Sequence, residues 1–225
     1  MTDSLFHALL LADARLPTGA HADSAGLESA VIAGLMATGV YPYMLARLHT
    51  ITRLEVATCV PAHRLASEGA KVTRYERLEA AVDARTPSAA QRAASRSLGR
   101  ALLRLARSLR PDHAGVEALT SLPAPPTRAV ALGVIGSALS VSEEHCAQVC
   151  CYEDLQRVAA AALKLLPVDP TEVTRWLLDA AKVATEVVRN ARSVRDCAGL
   201  PALSAPWLEH WAEEHSRRTR RLFVA

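Results

Sequence analysis

The chain has few aromatic residues: two Phe, three Trp and four Tyr, 4% of 225 positions. That scarcity argues against a β-sandwich or barrel, whose pleated faces favour aromatic and β-branched side chains. It has no strong excess of one charge either. Lys and Arg number 26 against 23 Asp and Glu, a net +3, far from the balance of a protein held mainly on phosphate backbones. Long apolar runs are missing too. The longest weakly polar stretch, Ala129 to Val141, is about 13 residues and is interrupted by Gly133, Gly136, Ser137 and Ser140, short of the roughly 20 needed to cross a bilayer. The opening residues carry no basic cluster, so no signal peptide is expected and a soluble protein is. Cys59, Cys146, Cys150, Cys151 and Cys197 are odd in number, three of them crowded together, which fits a reducing cytoplasm better than a disulfide framework. Missing also are the phosphate-binding G-x-x-x-x-G-K-[ST], the dinucleotide G-x-G-x-x-G, the zinc-hydrolase H-E-x-x-H and the serine-hydrolase G-x-S-x-G.

What is present is helical periodicity, in a chain that is 50% hydrophobic and rich in Ala, Leu and Val. Val173, Trp176, Leu177, Ala180, Ala181, Ala184, Val187, Val188 and Ala191 follow the spacing of one helix face. Asp169 and Pro170 form its expected N-cap and first position. The preceding helix is expected to open at Ser140-Val141-Ser142-Glu143, a capping-box spacing, to bury Cys146, Val149, Leu155, Val158, Ala159, Ala162, Leu163 and Leu166, and to stop at Pro167.

Upstream, Thr86-Pro87 opens a helix with Leu98, Leu102 and Leu105 opposite Arg92, Arg96, Arg100, Arg104 and Arg107. Another begins at Tyr41-Pro42, with Pro61 expected to kink or divide it before Ala70. Two more are expected near residues 4 to 13 and 24 to 37, the second capped by Asp23 or Ser24. The proline-rich stretch from Leu109 to Thr127 reads as a loop. The pattern predicts one all-α, bundle-like domain over residues 1 to 225, of about eight to ten helices, with a mobile tail from about 217 to 225.

Three features invite a chemical reading. His145-Cys146-x-x-x-Cys150-Cys151 brings thiols four apart on a helix, a weak candidate for a soft ion such as Ni, Zn or Cu(I). Cys146 also belongs to the apolar stripe, and packing explains it more economically. His21, Asp23 and Glu28 are a second weak cation candidate. The arginine ladder from Arg92 to Arg107 suits phosphates, a protein partner or solvent alone. The C-terminal Arg220, Arg221, Leu222 and Phe223 join charge to an apolar pair that needs covering, by a partner or by the body of the protein.

Leu10-Leu11-Ala12-Asp13-Ala14-Arg15-Leu16-Pro17-Thr18-Gly19, followed by Ser24-Ala25-Gly26-Leu27-Glu28, resembles the opening of the UreF family of urease accessory proteins. Ser95-Arg96-Ser97-Leu98-Gly99-Arg100-Ala101-Leu102-Leu103, Leu132-Gly133 and Arg221-Leu222-Phe223 resemble that family's later segments, in the same order. Ala22-Asp23-Ser24 stands where the family commonly has Ser-His-Ser, and Asp169-Pro170 where it often has a Gly-Gln pair.

The resemblance implies a cytoplasmic, all-α assembly factor with neither cofactor nor catalytic residue. It implies bridging between a UreD/UreH-type accessory protein and a UreG-type nickel GTPase for nickel insertion into apo-urease. Pro17, Gly19, Ser24, Gly26, Leu27, Glu28, Arg96, Gly99, Arg100 and the tail are then motif or interaction residues. A homodimer is expected, with Ala129, Gly133 and Ser137 offering a close-packing face. A helical DNA-binding regulator and a small metal-binding protein using Cys146 and Cys150 are the competing readings, and neither nucleic acid nor membrane is expected as a partner.

Overall fold

The structure, a computed structural model, describes residues 2–219, 222 and 223. Eleven α-helices and three short 3₁₀ turns make up its regular structure, and no strand occurs among the described residues. The expected all-α class is what the structure has.

Two helices form the centre: α4 (Ile51–Ser67) and α8 (Arg128–Ala138), which pack on each other more extensively than any other pair. α8 is buried almost all round, as its lack of a polar face requires. Gly133 sets the approach. A Cβ there would lie 2.5 Å from the Cys59 carbonyl oxygen and 2.8 Å from the Ala62 Cβ, so only glycine lets the backbones come this close. Ser137 continues the same side, its hydroxyl 2.9 Å from that of Ser67. The small-residue face expected to serve a homodimer is therefore spent inside the chain, on α4.

Around this pair lie α6 (Ala89–Leu109), α9 (Glu143–Leu165) and α10 (Pro170–Ala191). α10 starts at the expected Asp169 cap, whereas α6 starts at Ala89 behind a Ser88 cap rather than at Thr86-Pro87. The Ser88 hydroxyl accepts the Gln91 N–H, Ser142 that of His145, and Asp169 that of Thr171 at 2.6 Å. The cap of α9 is Ser142, two residues later than the capping-box reading, because Ser140 sits in a left-handed conformation (φ 58°) outside the helix. Leu163 is also corrected: it is 44% exposed rather than buried.

The segment from Val40 breaks differently from expectation. α3 (Val40–His49) ends at Thr50, whose backbone (φ −126°, ψ −91°) is not helical, whereas Pro61 lies inside an unbroken α4. A mid-helix proline costs about 3 kcal/mol in isolation. Here α4 is clamped by α8, α9 and α10, and tertiary packing overrides the local preference. α2 (Leu27–Ile32) is shorter than residues 24 to 37, since Gly34 (φ 102°) turns the chain and the Leu35 N–H returns to the Ala30 carbonyl.

Three helices lie beyond the expected set. α5 (Val72–Asp83) buries Tyr75, Leu78, Glu79 and Val82. α7 (Ala114–Thr120) interrupts the stretch read as a loop, its Gly115 pressed against Ala66 and Val134. α11 (Pro206–Arg217) crosses α2 and α6. The N-terminal α1 (Thr2–Leu11) lies on α9.

Two substitutions test this packing. Gly133→Ala is expected to lower stability by about 1–3 kcal/mol, the cost of overpacking against backbone. Asp169→Ala is expected to lower it by about 1 kcal/mol, the scale of a lost N-cap. Urea denaturation measures both; an unchanged midpoint for Gly133→Ala would show that α4 and α8 separate freely.

Candidate functional site

The motif loop from Pro17 to Glu28 is shaped by left-handed residues: Gly19 (φ 80°), Ala25 (φ 53°) and Gly26 (φ 83°). Ala25 is the costly one, because an L side chain disfavours this region by roughly 1–2 kcal/mol. Its carbonyl is held from two sides, by the Tyr43 hydroxyl at 2.6 Å and the Arg47 guanidinium at 2.9 Å. Gly26 makes room for this grip, as a Cβ there would come 3.0 Å from the Tyr43 oxygen. Asp23 shapes the turn by accepting the Ala25 N–H at 2.7 Å.

Beneath the loop lies a buried ionic cluster. Asp154, with no exposed surface, accepts Arg47 at 2.6 and 3.0 Å, Arg157 at 2.5 Å and the Thr52 hydroxyl at 2.5 Å. Arg157 also pairs with Asp23, tying α9 back to the motif loop. Beside them Arg128, the first residue of α8, pairs with Glu55 at 2.5 Å and Glu153 at 2.9 Å. Burial opposes the Asp154 charge, but Arg47 and Arg157 outweigh it and hold the carboxyl well below the usual carboxylate range. Burial pushes Glu153 the other way and the Tyr43 phenol up to about 12.

A cavity of about 350 Å³ opens between this cluster, α6 and α11, lined by Asp23, Arg47, Glu55, Arg157, Leu98 and His215 among others. The Arg157 Nε is buried without a hydrogen-bond partner. The cavity walls carry both signs, so they favour no ion of one charge.

The second motif is equally internal. Ser95 accepts the backbone N–H of Arg128 at 3.0 Å and so caps the entry to α8. Gly99 faces the same loop: a Cβ there would fall 2.0 Å from the Pro126 carbonyl oxygen. Arg96 bonds Glu79, Asp83 at 2.6 Å and the Pro125 carbonyl at 2.7 Å. Arg92 is likewise spent on the Thr86 and Pro87 carbonyls, which breaks the five-arginine stripe; Arg100 and Arg107 are exposed, and Arg104 reaches Pro17.

The tail requires a correction. Arg220 and Arg221 lie outside the described residues, but Phe223 is buried, under the Lys164 ammonium at 5.1 Å from its ring centroid. Glu28 holds it there, accepting the Leu222 N–H at 2.6 Å and the Phe223 N–H at 3.0 Å. Phe223 is thus docked on the body of the chain, while Arg217, Thr219 and Leu222 are exposed. Glu28, expected as a motif residue and a weak cation candidate, is instead a buried acceptor for the tail, a role with no local signal because its partners are about 195 residues away.

No group of three or more His, Cys, Asp or Glu suited to a metal occurs among the described residues. His145 is partly exposed beside the Ser4 hydroxyl, while Cys146 and Cys150 point into the core, so the metal candidates are not brought together. The His21 side chain lies outside the described set, and Asp23 and Glu28 are occupied by Arg157 and the tail. No described helix is long and apolar enough to cross a membrane.

The cluster yields a stability prediction. The folded pKa of Asp154 lies below its unfolded value of about 3.9, so its contribution is complete above that pH and is lost as pH falls below it. The urea midpoint is therefore expected to drop between about pH 5 and about pH 3. Asp154→Asn, leaving Arg47 and Arg157 buried and underpaired, is expected to cost about 3–5 kcal/mol at pH 7. A midpoint independent of both changes would remove the cluster from the fold's supports.

Comparison with known proteins agrees with the motifs. The UreF family model matches residues 37–181. The chain is 38% identical over 221 residues to the urease accessory protein UreF of Mycobacterium marinum, covering 96% of this chain and 97% of the relative. It is 37% identical to UreF of Mycobacterium tuberculosis over 227 residues, with 99% of each chain covered, and 36% identical to that of Mycolicibacterium vanbaalenii. With the motif loop, the Ser95 to Gly99 segment and the C-terminal Leu222-Phe223 all placed in one all-α fold, the chain belongs to the UreF family of urease accessory proteins.

Proposed function

We propose that the chain is a non-enzymatic adaptor of urease maturation, which bridges a UreD/UreH-type accessory protein and a UreG-type nickel GTPase so that nickel reaches apo-urease. It works in the cytoplasm, as a homodimer, and carries no cofactor of its own. Nickel is cargo in this reading.

The observation that carries it is the outer side of α1. Ala8 and Leu11 face inward at 5% and 1% exposure, yet Leu5, Phe6 and Leu9 remain 55%, 67% and 63% exposed on the opposite side. A short helix apolar on both sides is one that expects cover on both. The body of the chain supplies one cover, and the accessory partner supplies the other. An adaptor needs such surfaces rather than a reactive dyad, and Phe6 has the size and rigidity of a binding hot spot.

The regulator reading asked for a basic recognition helix. Arg92 and Arg96 of its one candidate are engaged within the chain, which favours the adaptor. The tail contributes through its docked form: Glu28 fixes Phe223 and presents Leu222 outward beside the motif loop.

The experiment is co-purification with the UreD/UreH-type partner. Leu5→Glu combined with Phe6→Glu is expected to weaken that complex at least about tenfold, or about 1.4 kcal/mol, with the melting temperature unchanged because both side chains are exposed. Undiminished binding would remove α1 from the interface. Deleting residues 218–225 is expected to lower the melting temperature, because it strips Phe223 from its seat and leaves the buried Glu28 without the two N–H groups.

A further inference from the structure

Three of the five thiols converge where α4 meets α9. The Sγ atoms of Cys59 and Cys146 are 3.5 Å apart, with neither residue exposed. Cys150, one turn further along α9, is likewise buried and contacts Arg128 at 3.6 Å. On its α8 side the Cys146 sulfur fills the space that Gly136 leaves by having no side chain, and lies 3.4 Å from the Leu132 carbonyl oxygen. Two sulfurs pinned in contact on facing helices need a closure of about 1.5 Å to reach bonding distance.

We propose that Cys59 and Cys146 are a reversible oxidation site, which hydrogen peroxide converts to a disulfide that ties α4 to α9. One sulfur attacks the peroxide, the O–O bond breaks, and a sulfenic acid and a water leave that step; the second thiol then displaces the hydroxyl as a second water, forming the S–S bond. Two protons and two electrons leave the thiols, and hydrogen peroxide is reduced to water. A small-molecule dithiol reverses the reaction by exchange.

The consequence lies in which elements are tied. α4 carries Thr52 and Glu55, and α9 carries Glu153, Asp154 and Arg157, so the bond crosses the same helix pair that bears the ionic cluster. It also closes a loop spanning 87 positions of sequence, which restricts the unfolded chain. Burial makes the site slow: contact with Cys146 pushes the Cys59 thiol up, so thiolate forms and peroxide reaches it only when the helices part, whereas the half-buried Cys197 is open to attack without such opening.

The test treats the full chain with hydrogen peroxide, blocks free thiols, and maps peptides by mass spectrometry without reduction. The expected product is a peptide pair joining Cys59 to Cys146, lighter by two hydrogens, with a melting temperature raised above that of the reduced chain and restored by dithiothreitol. Cys146→Ala, a small core substitution checked for its fold by circular dichroism, is expected to abolish both the pair and the rise. Should that variant not fold, Cys59→Ser serves in its place. Sulfinic acids on separate cysteines, a Cys59 to Cys150 link, or a chain-to-chain link through Cys197 with Cys59 and Cys146 left as thiols would overturn the proposal.

Discussion

The rest of the structure depends on one buried carboxylate. Asp154 sits between Arg47 of α3 and Arg157 of its own helix, and through these two guanidiniums it fixes a loop more than a hundred residues away in sequence. Arg47 spends one nitrogen on the Ala25 carbonyl and the others on Asp154, while Arg157 spends one on Asp23. Remove the carboxylate and both arginines are buried without sufficient countercharge, and the left-handed Ala25 loses part of what holds it. Such a cluster is weak evidence of stability beyond an apolar core of equal volume. Its bidentate geometry admits only one arrangement of loop, α3 and α9, which is a gain in specificity.

This arrangement changes what the family motifs mean. Ser24, Gly26 and Leu27 shape or fill the base of the loop, Glu28 receives the tail, and Ser95, Arg96 and Gly99 seat the start of α8 against α6. These are internal contacts, several of them between distant parts of the chain. A motif of this kind marks the fold, and exposed apolar side chains lie elsewhere, on α1 and at Leu222 among others. The departure at Asp23 has a physical account in the same terms: a carboxylate there meets the Arg157 guanidinium, so residue 23 and residue 157 form one unit.

Where the information was local, the sequence carried it. Asp169-Pro170 opens its helix as cap chemistry requires, and the Val173 to Ala191 stripe buries Val173, Trp176, Ala180, Val187, Val188 and Ala191, although Ala181 stays exposed. Where packing decided, local signals misled. Pro61 is tolerated because α4 is surrounded, and the break falls at Thr50 instead. α7 forms in a proline-rich stretch because Val116 and Leu119 reach the core between the prolines. The candidate site was legible as a set of residue types, Pro17 to Glu28 and Ser95 to Gly99, but not as contacts. Ion pairs such as Arg47 with Asp154 span about 107 positions and have no periodicity to betray them.

The distribution of polarity then bears on function. Arg47, Arg128, Arg157, Asp23 and Asp154 lie inside, whereas Leu5, Phe6, Leu178, Trp207 and Leu222 lie outside, each more than half exposed. Scattered surface leucines need no explanation, but Leu5, Phe6 and Leu9 are contiguous on one short helix. The charged groups cannot steer a partner from the interior, where they are already neutralised in pairs. The proposed association therefore draws on apolar contact at α1, on a scaffold whose ionic interior holds the motif loop and whose Glu28 holds the docked Phe223.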